Sequence, residues 1–256
     1  MGKKIAIVTG GAQGIGKEIA IQLAEDGFIP VICDINEDTL EEAASSISQL
    51  GYSCDTYILD VRNKEKVFDV VEEIVNKYGQ LDVMVANAGV VQVKPFVDIT
   101  EKDMEKLFSV NVNGAMYCMQ AAARQMKKQK SGKIIVASST SGKRAVELLG
   151  HYAASKFAVI GLMQAAAKEL ASFNITVNAY CPGIVGTSMW EEIDRQMAIA
   201  LDVPLGETYD AKINNTPLGK GNGAKDVAGL ISFLASEKAN YMTGQAVVID
   251  GGNVFS

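Results

Sequence analysis

A short apolar strand that runs into a glycine-rich turn and then a helix leaves a chain few folds to choose from. Lys4-Ile5-Ala6-Ile7-Val8 reads as the strand, Thr9-Gly10-Gly11-Ala12-Gln13-Gly14-Ile15-Gly16 as the turn, and an amphipathic run continues to Gly27. Glycines at 10, 14 and 16 permit a tight turn, close backbone approach to a pyrophosphate and close helix packing, with the helix amino terminus facing the phosphates. The spacing is Gly-x-x-x-Gly-x-Gly, distinct from the wider Gly-x-Gly-x-x-Gly. Gly10, Gln13, Gly14, Ile15 and Gly16 are therefore candidate cofactor-binding residues.

A second strand, Pro30 to Cys33, ends in Asp34. An acidic side chain about twenty residues beyond the glycines can accept hydrogen bonds from an adenosine ribose and repel a 2′-phosphate. Ile35 and Asn36 follow with no arginine to receive that phosphate, and Gln13 stands where a basic residue could, so NAD is favoured over NADP. The competing reading makes Asp34 a cap for a helix starting near Asn36.

Strands and helices then alternate. Helices are expected at about 37–49, 64–78, 100–128, after Tyr152 to Leu170, and at 226–235; strands are expected near 54–59, 81–86, 133–138, 175–181 and 246–249. Such alternation implies crossover units and a parallel sheet covered by helices on both faces. The expectation is a single-domain Rossmann-type α/β fold, a doubly wound sheet of seven strands spanning 1–256, with no linker or repeat. Its least regular piece, about 184–217, is a long insertion of the kind that forms lids. Of its apolar residues, Met189, Ile193, Met197 and Ile199 are expected mainly to pack the insertion onto the body, and Trp190 to face a pocket.

Three residues can form a proton-transfer device: Tyr152, Lys156 four positions later, and Ser139. Positions four apart share a helical face, so the Lys156 ammonium is expected beside the Tyr152 phenol. A free tyrosine titrates at about 10, and a fixed positive charge brings that down toward the working range. Ser139 follows the apolar run Lys133 to Ser138, which places its hydroxyl at a strand's carboxyl end, where open α/β sheets bind ligands.

A net charge of −6 argues against nucleic acid or an anionic membrane as partner. No apolar run approaches the roughly 18 residues of a membrane span. The start Met1-Gly2-Lys3-Lys4 precedes an apolar stretch too short for a signal peptide, and Ala6 departs from the myristoylation pattern, so a cytoplasmic location is expected. Four scattered cysteines without Cys-x-x-Cys spacing read as reduced and mostly buried, and with a single histidine no metal site is expected. His151 beside Tyr152 invites a Ser-His-Asp reading, but no Gly-x-Ser-x-Gly elbow surrounds Ser139; a helix-start or pocket-rim role is expected instead.

Taken together, Thr9 to Gly16, Asp60-Val61, Asn87-Ala88-Gly89, Asn111, Ser139, Tyr152 with Lys156, and Pro182-Gly183 resemble the short-chain dehydrogenase/reductase family along essentially the full chain. The resemblance implies a strand order of 3-2-1-4-5-6-7 and a set of roles. Asp60 and Val61 would hold the adenine, Asn87, Ala88 and Gly89 would support the sheet beside the cofactor, and Lys156 would also hold the nicotinamide ribose. Asn111 would fix a bend in its helix and a water of the relay, while Pro182, Gly183, Val185 and Thr187 would line the nicotinamide end. Ser139, Tyr152, Lys156 and Asn111 would be the catalytic set.

Within the family, Tyr180 to Val185, Met189 to Gln196 and Tyr241 to Gln245 leading to Ile249-Asp250-Gly251-Gly252 are similar to the bacterial acetoin (diacetyl) reductases, or 2,3-butanediol dehydrogenases. Substrate would meet Ser139, Tyr152, Thr140, Ala145, Val146, Met189 and Trp190. A polyol dehydrogenase is the alternative, served by Glu147, Glu191 or Asp194 if these turn inward; an NAD-sensing regulator is the non-enzyme alternative. The segment from Lys143 to Gly150 departs in detail from the acetoin reductases, which leaves stereochemical preference open. The resemblance also implies a homotetramer paired through the long helix and the Tyr152 helix.

Overall fold

The computed structural model describes residues 3–255; Met1 and Gly2, which enter the readings of the amino terminus, lie outside the described residues. Seven strands are formed: β1 (Lys4–Thr9), β2 (Phe28–Asp34), β3 (Asp55–Ile58), β4 (Val83–Ala86), β5 (Gly132–Ala137), β6 (Ile175–Pro182) and β7 (Ala246–Ile249). They make one parallel sheet in the order β3-β2-β1-β4-β5-β6-β7, as expected. The order reverses between β1 and β4, so the crevice at their carboxyl ends is where this topology opens a ligand site.

Strand period explains how the sheet is held. Ile5 and Ile7 face one side and Ala6 and Val8 the other, all fully buried. The first side packs against α3 (Lys64–Tyr78), α5 (Ala115–Gln129) and α6 (Gly150–Leu170). The second packs against α1 (Gly14–Glu25), α2 (Glu37–Gln49) and α9 (Ala224–Ala235).

The helix expected over 100–128 is interrupted. α4 (Glu101–Phe108) and α5 are separated by a π turn, Ser109–Gly114. One wide turn of this kind adds a residue to the helical repeat, and here it swings Asn111 inward against the loop after β4. Thr100 and Asp103 close a capping box at the start of α4. Asn36, not Asp34, caps α2, its side chain accepting from Thr39 N. That removes the capping alternative for Asp34.

Much of the apolar surface of the two long helices is internal. Met119, Ala121 and Ala122 are buried in the chain's own core. On α6, Phe157, Gly161 and Ala165, four apart, are among the exposed residues.

The insertion is two helices, α7 (Ser188–Leu201) and α8 (Glu207–Asn214). Buried Asp194 pins them together, accepting from Gly206 N at 2.6 Å, from Tyr209 N at 2.9 Å and from the Thr208 hydroxyl. Ile193 and Met197 pack inward with Leu107, Leu149 and Tyr152, with Trp190 on the margin, whereas Ile199 is exposed. Among the described residues no helix is long and apolar enough to cross a membrane.

Candidate active site

The glycine turn is held from below by polar bonds. Asn87, just past β4, donates Nδ2 to Thr9 O at 3.0 Å and to Gly10 O at 2.9 Å, and its Oδ1 accepts from Tyr180 OH at 2.7 Å. Gly10 and Gly14 take positive φ of 62° and 53°, which only glycine adopts freely. A Cβ at Gly10 would meet Ala88 Cα at 2.9 Å, and one at Gly16 would meet Gly10 O at 2.0 Å. The cradle therefore has room for backbone alone. Gln13 gives α1 no side-chain cap, and the first turn of α1 carries no acidic residue. Its amino-terminal N–H groups and dipole are left to an anion.

Along the same edge stands Asp34 at the end of β2, held by Ala12 N at 3.2 Å and Ile35 N at 2.8 Å. Val61 is buried against Gly114, while Asp60 binds the Arg62 guanidinium at 2.5 Å. From the far side, Thr187 comes within 3.3 Å of where a Gly14 Cβ would sit, and Gly183 lies tight against Asp250. Val185 is buried. The fold thus brings the sequence-predicted cofactor set to one edge, although those residues are spread over 178 positions from Gly10 to Thr187.

Tyr152 and Lys156 occupy the first turns of α6, and Ser139 begins a 3-10 turn, Thr140–Gly142, two residues beyond β5. All three are buried, as is Asn111. Ser139 Oγ accepts from Ser141 N at 3.1 Å, which leaves its hydroxyl hydrogen free to donate. Burial pushes the Tyr152 phenol up to about 12, the Ser139 hydroxyl offsetting part of the rise. This reverses the direction expected from the Tyr-x-x-x-Lys pair. The Lys156 ammonium donates to Ala137 O at 3.0 Å and lies 5.6 Å from the Tyr152 ring centre, and burial sets the direction of the Tyr152 shift. Burial also brings Lys156 down to about 8.

Asn111 closes the group. Its Oδ1 accepts from Val90 N at 2.8 Å, and its Nδ2 donates to Val90 O at 2.9 Å and Ser155 Oγ at 3.0 Å. Gly89 separates it from Lys156: a Cβ there would lie 3.3 Å from Asn111 Oδ1 and 3.4 Å from Lys156 Nζ. The arrangement can hold a carbonyl oxygen between two hydroxyls and move a proton to it.

Of the expected substrate residues, Trp190 packs toward Tyr152 and meets Tyr209 edge-on at 6.1 Å. Thr140 is half-buried beside Ser139; Ala145, Val146 and Met189 lie more open. Glu147 and Glu191 are exposed, and Asp194 is committed to α8. Sequence reasoning passed over Ser155, Tyr180, Gln92 and Gln196, whose roles come from long-range hydrogen bonds with no local signature. Cys33, Cys54, Cys118 and Cys181 are all free, and among the described residues no group of acidic, Cys and His side chains is placed to hold a metal.

A family model described as short chain dehydrogenase matches residues 4–198. The chain is 47% identical to a diacetyl reductase [(S)-acetoin forming] of Staphylococcus epidermidis over 98% of this chain and 99% of that one. It is 43% identical to the L-2,3-butanediol dehydrogenase of Corynebacterium glutamicum over 99% of both chains. Among solved structures, an NAD+-bound xylitol dehydrogenase superposes with a TM-score of 0.91 at 31% identity, covering 98% of this chain and 99% of that one.

Proposed function

Because this chain belongs to the short-chain dehydrogenase family, we propose that it interconverts small vicinal ketones and alcohols with NAD(H) as hydride carrier, diacetyl, acetoin and 2,3-butanediol being its substrates. The glycine cradle, the uncapped α1 terminus and Asp34 fit NAD, with Gln13, Ile15, Asp60, Val61, Asn87 to Gly89, Pro182, Gly183, Val185 and Thr187 completing its site. NAD(H), when bound, supplies or accepts the hydride. Ser139 donates a hydrogen bond to the reacting carbonyl oxygen and so fixes it beside the Tyr152 phenol. Tyr152 then gives its proton to that oxygen. The high affinity of the buried phenol for its proton keeps it loaded across the neutral range. Lys156 returns the proton to Tyr152 afterwards and regains one from solvent through a water held by Asn111, which it faces across Gly89.

The observation that carries the substrate choice is the wall around Tyr152, built of Leu149, Ile193, Met197 and Trp190. A polyol buried there would leave hydroxyls unpaired at roughly 1–3 kcal/mol each. The carboxylate best placed to serve them, Asp194, is bonded to α8 instead. The flanks of diacetyl are methyl groups and ask for no partner. NADH oxidation with diacetyl and acetoin should therefore exceed, in kcat/KM, NAD reduction with xylitol or sorbitol. A pentitol or hexitol giving the higher value would replace this reading with the polyol one. An NAD-sensing regulator is disfavoured because Ser139, Tyr152, Lys156 and Asn111 are all in place.

Asp34 sets the cofactor prediction. Its carboxylate, at the carboxyl end of β2 beside the glycine turn, would receive the adenosine ribose, and the nearest arginine in sequence, Arg62, is paired with Asp60. A like-charge contact in such a site costs several kcal/mol, so kcat/KM should favour NADH over NADPH by about 10²-fold or more. Equal values would defeat the assignment. We further propose a single catalytic domain over 1–256 with the 184–217 insertion as its substrate cover, a cytoplasmic location, and a homotetramer using the Phe157 stripe on α6.

A further inference from the structure

Among the described buried side chains, His151 Nδ1 is the polar atom left without a partner, although the ring is 1% exposed and the proton relay makes no use of it. Its tautomer is fixed from α4. The Asp103 carboxylate takes Lys94 Nζ at 2.6 Å, Thr100 Oγ1 at 2.6 Å and Thr100 N at 2.9 Å, so it is ionised and only accepts. Gln92 Nε2 donates to Asp103 Oδ1 at 2.9 Å, which turns Gln92 Oε1 toward His151 Nε2 at 3.1 Å. An amide oxygen cannot donate. The proton of the neutral ring therefore sits on Nε2, and Nδ1 is a bare, buried acceptor.

The loop that this bond anchors touches the relay, the insertion and the segment before α6. Val90 is clamped by Asn111, Val93 N donates to Gln196 Oε1 of α7 at 2.8 Å, and Lys94 N donates to Leu148 O at 2.8 Å. One imidazole thus joins the first turn of α6, next to Tyr152, to the relay and to the substrate cover.

We propose that His151 is a positioning residue: as the neutral Nε2–H tautomer it locks loop 90–94 to the first turn of the Tyr152 helix, and protonation, which puts a charged N–H without an acceptor at buried Nδ1, drives the ring out of this packing and slows turnover. The proposal rests on the reading of the site as a carbonyl reductase. The charges around the ring are Asp103 on α4, which favours the imidazolium, and Lys94 on the loop, which opposes it. Asp98, in the 3-10 turn packed near Gly150, is exposed; on its own helix, Tyr152 is neutral and Lys156 is bonded to Ala137. Burial, the largest influence, holds His151 below the ordinary histidine range. The folded protein then binds this proton more weakly than the unfolded chain. Its contribution is complete above about pH 6.5 and is lost as pH falls below that.

His151 is the only histidine, so one imidazole appears in a nitrogen-edited NMR spectrum of untagged, histidine-labelled protein. The expected result is the Nε2–H tautomer at pH 8 and a midpoint below about 6.5. The Nδ1–H tautomer, or an ordinary midpoint, would overturn the proposal. His151→Gln keeps a donor at the Nε2 position but cannot titrate. It should hold kcat for diacetyl reduction within about threefold at pH 8 and abolish the decline of kcat below about pH 6.5. Persistence of that decline in His151→Gln overturns the lock. His151→Phe leaves Gln92 Oε1 without its donor, and kcat should fall roughly 10- to 100-fold with the NADH Kd unchanged. If no variant and no parent protein reduces any carbonyl, the functional reading fails by itself, and the tautomer and midpoint still decide whether the lock exists.

Discussion

Tyr152→Phe is expected to cut carbonyl reduction by about 10²–10⁴-fold, the usual contribution of a general acid, while the protein stays folded and binds NADH almost as before. The ring is 9% exposed and packs with Leu107, Leu149, Ile193 and Met197, contacts that phenylalanine reproduces. Only the hydroxyl is lost. Because burial already disfavours ionising it, removing that hydroxyl from an apolar wall should leave Tm unchanged or slightly higher. That combination, an inactive but undamaged protein, separates a chemical role from a structural one. A folded Tyr152→Phe protein with near-parental kcat would show that the proton comes from elsewhere and that the catalytic assignment of Ser139, Lys156 and Asn111 around it is mistaken.

Gly16→Ala should do the opposite, damaging binding and stability before chemistry. The added Cβ would lie 2.0 Å from Gly10 O and 2.6 Å from Asn87 Nδ2. Neither neighbour can give way cheaply. Gly10 is held at φ 62°, and Asn87 is fixed by Thr9, Gly10 and Tyr180. Overpacking of this kind costs about 1–3 kcal/mol and sometimes more. A displacement near 1 Å in the turn would also weaken NADH binding by roughly 10²-fold. Gly229→Ala in α9 is the control: nothing lies within 4 Å of its added Cβ, so it should be neutral or stabilise by about 0.5–1 kcal/mol. Titration calorimetry with NADH and thermal melts check both variants. Normal NADH affinity in Gly16→Ala would mean that the turn does not carry the cofactor.

Wherever a function is carried by a local pattern, the sequence reading and the structure agree. The strand, turn and helix at 4–27 are fixed by period and by glycine placement, and α2, α3 and β7 fall at the expected residues. Tyr152 and Lys156 share a face because a helix dictates it. Disagreements arise where neighbours distant in the chain decide. The bend implied at Asn111 is a π turn over Ser109–Gly114, and the bonds Asn111 makes there to Val90 are contacts that residues 100–128 alone do not express. The sign of the Tyr152 shift belongs to the same class. Four-residue spacing puts an ammonium on the right face, but Ala137 O captures it and burial then dominates.

Residue order, apolar period and the glycine turn by themselves determined the doubly wound sheet, the shared helical face of Tyr152 and Lys156 and the acidic end of β2. These are short-range facts, since strand and helix periods and turn stereochemistry act over a few positions. Only the tertiary structure decided which carboxylates face the site, how Asn87 and Tyr180 brace the glycine turn, and that His151 is tied through Gln92 to Asp103. Each of those depends on side chains that are brought within hydrogen-bonding distance by packing from opposite ends of the chain, and no spacing in the sequence encodes a distance of that kind.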